Sequence, residues 1–312
     1  KKVLEEMEAD RLRKYPDPTA SILVKELASY YGLNEDQVFV GVGSDDVLAM
    51  SFLTFFNSDK PVLFPDVTYS FYKVWADLFK VPFETPVLKE DFTIDVKDYE
   101  KENGGVIFPN PNAPTGVYMP LDQVEEILKA NQDVVVIVDE AYVDFAGPSA
   151  LELLDKYENL LVVQTFSKSR SMAGMRIGFA MGHPDLIRAL NDVKYSYNSY
   201  TMNLPSLLAG VEAVKDKEYF EKTIEKIVAT REHAKKRLTE LGFTFPNSQS
   251  NFIFASHKSV PAEKIFEALK KEQIYVRYFK TPGLDNSLRI SIGTDEEMDT
   301  LFRFLEAYLP NA

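Results

Sequence analysis

One lysine, Lys168, stands in the run Thr165-Phe166-Ser167-Lys168-Ser169-Arg170-Ser171, directly after the apolar stretch Leu160 to Val163. A lysine held where a strand opens into a loop can act as a nucleophilic amine and form a Schiff base with an aldehyde. The hydroxyls around it, with Arg176, suit a phosphate on that aldehyde. Two more polar stretches follow apolar runs. Phe108-Pro109-Asn110-Pro111-Asn112-Ala113-Pro114-Thr115-Gly116 comes after Val106-Ile107, and its prolines and asparagines fix the backbone and can aim an amide at a ligand. Asp139-Glu140-Ala141-Tyr142 comes after Val134 to Val138. A carboxylate at the end of five apolar residues is poorly solvated unless it meets a cation, and a protonated pyridine nitrogen is one. Finally, Gly41-Val42-Gly43-Ser44-Asp45-Asp46 opens the apolar segment Val47 to Phe56. A glycine turn feeding a helix presents free N–H groups and the positive dipole end, which suit a phosphate; an ordinary helix cap is the competing reading.

These residues need a frame that brings strand ends together. Short apolar runs at Val38 to Val40, Val62 to Phe64, Val106 to Phe108, Val134 to Val138, Leu160 to Val163 and Ile177 to Met181 alternate with helical patterns near 19–31, 69–80 and 121–130. Runs that are polar on neither side belong to strands covered on both faces. The expectation is an α/β fold: a three-layer large domain on a mostly parallel sheet, with ligands at the carboxyl ends of its strands. Beyond Pro205 the texture changes to charged helices, one from Val211 to Leu241, another from Ala262 to Glu272 and a last from Asp295 to Tyr308. Strands are expected at 252–254, 274–276 and 288–292. This reads as a smaller α+β C-terminal domain, giving an N-terminal segment 1–18, a large domain 19–208 and a small domain 209–312. Residues 1–14 are charged, with apolar positions too sparse to mark a helix, and Tyr15-Pro16-Asp17-Pro18 stops any helix there.

Composition narrows the chemistry. The 312 residues, 45% of them hydrophobic, fill a real core, and the absence of cysteine removes disulfides and thiolate catalysis. Three scattered histidines offer no metal site, and a formal net charge of -13 does not suit nucleic acid. No apolar run is long enough to span a membrane, so the expected compartment is the cytoplasm. The sequence starts at Lys1 without a methionine.

Taken in order, Asn110-Pro-Asn-Ala-Pro-Thr-Gly116, Asp139-Glu-Ala-Tyr142, Thr165-Phe-Ser-Lys168 and Ala173-Gly-Met-Arg176 make the chain resemble the fold-type I aminotransferases that depend on pyridoxal 5'-phosphate. Within them it is most similar to the histidinol-phosphate aminotransferases, and the matching set spans Tyr15 to Arg289. The resemblance implies transamination between histidinol phosphate and 2-oxoglutarate. Lys168 would hold the cofactor and later move the substrate proton, Asp139 would pair with the pyridinium nitrogen, and Tyr142 would bond the ring's phenolic oxygen. Ser44, Asp45, Thr165, Ser167 and Arg176 would bind the phosphate, and Tyr69 would stack on the ring. Tyr15 would reach a neighbouring subunit's phosphate, implying a homodimer, and Arg277 with Arg289 would hold the anionic end of the substrate.

Two departures from the family pattern stand out. Ala113 occupies the position before Pro-Thr-Gly where an asparagine usually contacts the ring, leaving Asn112 as the candidate with Asn110 behind it. The arm that folds over the substrate in such enzymes has no counterpart before Lys1. The same residues also fit an aromatic-amino-acid aminotransferase or a threonine-phosphate decarboxylase, and more remotely a regulatory module that binds the cofactor without turnover.

Overall fold

The computed structural model describes residues 2–312. Seven strands form the larger sheet: β1 (Val38–Gly41), β2 (Val62–Leu63), β3 (Phe83–Glu84), β4 (Gly105–Pro109), β5 (Val136–Asp139), β6 (Leu160–Thr165) and β7 (Gly178–Gly182). Their order is β1-β7-β6-β5-β4-β2-β3. All pairings are parallel except the two made by β7, which is antiparallel to both β1 and β6.

Side chains alternate between two cores, as a pleated strand buried on both faces requires. Val106, Phe108, Val136, Val138, Leu160 and Val162 join one core, and Ile107, Ile137, Leu161 and Val163 join the other. After a single helical turn, α1 (Lys2–Glu5), the helices α2 (Ser21–Tyr31), α3 (Ser44–Phe55), α4 (Phe71–Phe79), α5 (Leu121–Ala130), α6 (Pro184–Tyr197) and α7 (Leu204–Lys215) divide between the faces. Leu23 and Leu27 of α2, Val124 and Ile127 of α5 and Leu207 of α7 cover the first core. Val47 and Phe52 of α3, Tyr72 and Trp75 of α4 and Leu190 of α6 cover the second. The result is the three-layer α/β arrangement with a mostly parallel sheet that the apolar runs foretell.

The C-terminal part builds its own core on α8 (Lys217–Glu240), α9 (Ala262–Lys271) and α10 (Asp295–Tyr308). These pack on a sheet of β8 (Phe243–Thr244), β9 (Phe252–His257), β10 (Arg277–Tyr278) and β11 (Leu288–Ser291), ordered β10-β11-β9-β8 and antiparallel throughout. Buried Arg231 of α8 ties the two parts together, donating to the carbonyls of Phe145 at 2.9 Å and Ser250 at 3.1 Å.

Two expectations are corrected. The helix read over Val211 to Leu241 is two helices. Asp216 leaves the helical region and its carboxylate accepts the Tyr219 N–H, capping α8 as α7 ends. The strand read at 274–276 pairs only from Arg277 onward. Gln273 takes a positive φ of 60° and the Ile274 N–H closes back on Leu269, so Ile274 and Val276 spend their apolar side chains on the small core instead of on a ladder.

The tightest passage of the large sheet lies where β7 runs under the start of α3. A Cβ on Gly178 would stand 2.2 Å from the Gly43 carbonyl carbon and 2.3 Å from the Ser44 nitrogen. Gly178→Ala is therefore expected to lower stability by about 1–3 kcal/mol, the cost of overpacking against backbone that cannot swing away. Gly174→Ala, with nothing within 4 Å of its Cβ, should stay within about 0.5 kcal/mol. Urea denaturation of both variants checks the pair, and equal midpoints would refute the close approach.

Candidate active site

Five chain segments end around one cavity of about 190 Å³. The first turn of α3 contributes Ser44 and Asp45, and Tyr69 stands just before α4. The end of β4 and the loop after it give Pro109 and Ala113, the end of β5 and its loop give Asp139, Ala141 and Tyr142, and the loop after β6 gives Ser167, Lys168, Ala173 and Arg176. An open groove of about 630 Å³ around Phe92 and Phe254 is larger, but Glu90 and Asp91 line it and no lysine or arginine does, so it does not suit an anion.

The Lys168 loop is fixed on both sides of the lysine. Phe166 is buried and its N–H donates to the Ile177 carbonyl at 3.0 Å. Ser169 donates to the Asp144 carboxylate. Arg170 lies 4.0 Å above the Phe220 ring and donates to the Ala213 carbonyl at 2.7 Å. Lys168 itself is left to the cavity, its Nζ 5.3 Å from the centre of the Tyr142 ring.

Across the cavity Asp139 is buried at the end of β5. Its Oδ2 accepts the Tyr72 hydroxyl at 2.8 Å and its Oδ1 accepts the Ala141 N–H at 3.2 Å. Burial pushes its carboxyl up to about 6 despite these two donors; nearby Asp45 pushes the same way and Lys168 the other.

The third wall is a cradle of N–H groups and a guanidinium. The Gly43 φ of 87° turns the chain into α3, and the N–H groups of Ser44 and Asp45 lack intrahelical acceptors. Asp46 holds this turn by accepting the Val42 N–H at 2.9 Å. A Cβ on Gly43 would meet Arg176 Nη2 at 2.5 Å, so the guanidinium sits directly over the turn. Arg176 donates to the Ala173 carbonyl at 3.1 Å, and Tyr69 donates to Asp45 Oδ1 at 2.9 Å, which fixes its ring at the cavity edge.

Of the residues singled out from the sequence, Lys168, Asp139, Tyr142, Ser44, Asp45, Tyr69, Ser167 and Arg176 meet at this cavity. Thr165 stands behind it: its hydroxyl donates to the Ile177 carbonyl and accepts the Ser167 N–H, so it shapes the loop. Asn110 and Asn112 do not line the cavity; their side chains bond to their own loop and, for Asn112, also to the segment before α4. Asn110 both donates to and accepts from Met119, while the Asn112 Nδ2 donates to the Val67 carbonyl and to Thr115. The Asn112 Oδ1 is buried without a hydrogen-bond partner among the described residues.

Tyr15 lies elsewhere on the surface, 82% exposed, its ring 4.6 Å from that of Tyr200. Arg277 and Arg289 face each other across β10 and β11. Neither lines the cavity; Arg289 lies 5.1 Å over the Phe252 ring, which packs edge-on against Tyr142 of the cavity wall. Tyr72, Asp46 and Glu140 escaped the reading of the sequence. Tyr72 had one signal, its place one helical turn after Tyr69, but that spacing equally marks a core aromatic.

The Asp139 site asks for a cation, and the Ser44, Asp45 and Arg176 cradle asks for an anion. A pyridine ring carrying a phosphate and an aldehyde meets both demands with its aldehyde toward Lys168. No group of acidic residues or histidines that could hold a metal ion occurs among the described residues, and none of their helices is long and apolar enough to cross a membrane.

Comparison with known proteins agrees with this chemistry. Residues 1–305 match the family described as "Aminotransferase class I and II". The chain is 51% identical over 312 residues to a histidinol-phosphate aminotransferase of Brachyspira hyodysenteriae, covering all of this chain and 88% of that protein. It is 54% identical over 292 residues to one of Clostridium acetobutylicum, covering 93% and 83%. Among solved structures, the histidinol-phosphate aminotransferase of Sinorhizobium meliloti in complex with pyridoxal-5'-phosphate superposes with a TM-score of 0.87 at 24% identity, over 99% of this chain and 84% of that one. With its lysine, buried aspartate and anion cradle set on three-layer α/β architecture, this chain belongs to the class I and II aminotransferase family.

Proposed function

We propose that this aminotransferase uses pyridoxal 5'-phosphate to exchange an amino group between histidinol phosphate and 2-oxoglutarate, in histidine biosynthesis. The observation that carries the reading is that Lys168 and buried Asp139 line one cavity together with Arg176 and the start of α3, a wall suited to an anion. Relatives about half identical along the full chain carry the name of that activity. When bound, the cofactor supplies an aldehyde that captures amines and a protonated ring nitrogen that withdraws electrons.

The residues of the chain do the rest. Lys168 would hold the cofactor at its aldehyde and would take the proton from the substrate Cα. Asp139 would keep the ring nitrogen protonated, Tyr142 would bond the phenolic oxygen and Tyr69 would cover the ring. The Ser44 and Asp45 N–H groups, Ser167 and Arg176 take the phosphate, with Thr165 setting the Ser167 amide. Arg277 and Arg289 take the phosphate of the substrate. Two like charges directly opposite each other on adjacent strands repel, and an anion bound between them relieves that cost. Exposed Tyr15 is completed by a second copy of the chain, whose cofactor phosphate it reaches; the working unit is then a cytoplasmic homodimer. Each copy divides into the segment 1–18, a cofactor domain that runs to the end of α7, past the boundary at 208 expected from the sequence, and a small domain from α8 onward that carries the arginine pair.

The test is the absorption spectrum of the protein loaded with pyridoxal 5'-phosphate, recorded as histidinol phosphate and glutamate are added in separate cuvettes. A band of lysine-linked cofactor that both amines convert to the aminated form is expected. Conversion by glutamate alone moves the substrate elsewhere, and release of CO2 from threonine phosphate would make the chain a decarboxylase. If no band forms, Lys168 does not hold the cofactor.

Arg289→Ala should raise the KM for histidinol phosphate by about 10- to 100-fold, the value of hydrogen bonds to a charged group, with a smaller change in kcat. An unchanged KM in steady-state assays removes the arginine from the site.

The Asp139 carboxylate also fixes how the cofactor-free chain responds to pH. Between the ordinary carboxylate range and about 6, the folded chain retains a proton that the unfolded chain has released. Stability therefore falls as pH rises through that window and stays low above it. Asp139→Asn removes this cost. At pH 7.5 the cofactor-free variant should be more stable by about 1–3 kcal/mol, with the difference largely gone near pH 4. Urea titrations at both pH values check this, and the elevated carboxyl of Glu140 cancels because both proteins keep it. The same variant should bind the cofactor less tightly.

A further inference from the structure

We propose that Tyr72 is a positioning residue for the reaction, fixing the charge and the orientation of Asp139 through a hydrogen bond behind the cofactor cavity. The inference rests on the reading of Asp139 as the partner of the ring nitrogen. Tyr72 does not line the cavity. It lies in the first turns of α4, fully buried, walled by the rings of Phe52, Phe64, Tyr69 and Trp75. Its hydroxyl meets Asp139 Oδ2 at 2.8 Å. A phenol has one proton to give, and a buried hydroxyl left without an acceptor is costly, so this bond is enforced by the packing around the ring.

The direction of the bond has a consequence for charge. Burial, then the neighbouring Asp139, hold the Tyr72 phenol well above its ordinary value, so it remains a donor at every working pH. A permanent donor favours the ionised carboxylate. The groups facing Asp139 otherwise are Asp45 from α3, which disfavours that charge, Lys168 from the loop after β6, which favours it, and Tyr69 before α4. Against burial and Asp45, the Tyr72 hydroxyl and the Ala141 N–H are the two bonded donors that keep Asp139 anionic.

The bond also sets direction. With Oδ2 held from α4 and Oδ1 held by Ala141, the carboxylate cannot turn about its side chain without breaking one of two buried hydrogen bonds. Its orientation is thereby fixed before any ligand arrives, which is how preorganised sites avoid reorganising as charge develops.

The test is a double-variant cycle read by cofactor affinity. Trp75 is the only tryptophan of the chain and its ring centre lies 6.2 Å from that of Tyr72, so quenching of its fluorescence reports pyridoxal 5'-phosphate binding to the cofactor-free protein without any turnover. Dissociation constants are measured from pH 5.5 to 8.5 for the parent, Tyr72→Phe, Asp139→Asn and the double variant. Tyr72→Phe should weaken binding roughly tenfold at pH 7.5 and move the acid limb of the affinity profile up by about one pH unit, the effect of one hydrogen bond to a charge. In the Asp139→Asn background the same change should matter less than about twofold, because it acts through the carboxylate. Equal losses in both backgrounds would make Tyr72 a packing residue and overturn the proposal, as would an unmoved profile. If Tyr72→Phe unfolds at room temperature, the same four proteins are compared at reduced temperature. A parent that does not bind the cofactor defeats the reading of the site itself, and an Asp139→Asn variant that binds as tightly as the parent defeats the role of Asp139; both are distinct from failure at Tyr72.

Discussion

A carboxylate buried at the end of a parallel strand governs this structure. Removing an ionised group from water costs several kcal/mol unless charge or hydrogen bonds replace the solvent. Among the described residues Asp139 has two donors and no ion pair within bonding distance, and its carboxyl is raised to about 6 in consequence. Its side without a protein donor faces the cavity, where a cation would complete the set. Stability of the empty protein is given up for affinity and chemistry in the loaded one, a familiar trade at functional sites.

The rest of the large sheet sets the start of α3 and Arg176 beside that carboxylate. β7, antiparallel in an otherwise parallel neighbourhood, returns the chain from the Lys168 loop past the start of α3. Because Gly178 and Gly43 lack side chains, β7, the first turn of α3 and Arg176 stack with almost no space between them. The start of α3 and β7 are thus set by backbone contact, which is stiffer than side-chain packing. The net charge of -13 does not oppose an anionic ligand here, since solvent screens exposed charges beyond about 8 Å while the guanidinium and helix amides act at contact.

Much of this was legible in the sequence, for physical reasons. Runs such as Val134 to Val138 announce strands covered on both faces, and a polar residue ending such a run is conspicuous because burial makes it costly. What stayed hidden depended on local competition. Asp216 divides α7 from α8 by capping with its side chain, although the apolar spacing runs on across it. Ile274 and Val276 look like strand residues because packing into a core demands the same side chains as pairing does. Asn110, Asn112 and Thr165 looked like ligand contacts, but short polar side chains beside prolines and turns are readily taken up by neighbouring backbone, and here they are. Tyr72 was invisible for the opposite reason, since on a helix face a core aromatic and a buried donor share one pattern.

Asp139 and its neighbour Glu140 show what separates a site from a scaffold. Successive strand residues point to opposite faces, so Asp139 turns toward α4 and Glu140 toward the other core. Glu140 is as deeply buried, and burial raises its carboxyl to about 7, yet it accepts from Ser149, from the Ala150 N–H and from Gln164. Gln164 in turn accepts the Tyr31 hydroxyl, linking the network to α2. Every direction around Glu140 is closed by protein, and it serves to lock the loop after β5. Asp139 has protein donors on one side and a cavity on the other. Two adjacent carboxylates with the same local sequence signal therefore differ in function through which side of the sheet is left open, and that is decided by residues distant in sequence, Tyr72 and Lys168 for one and Ser149 and Gln164 for the other.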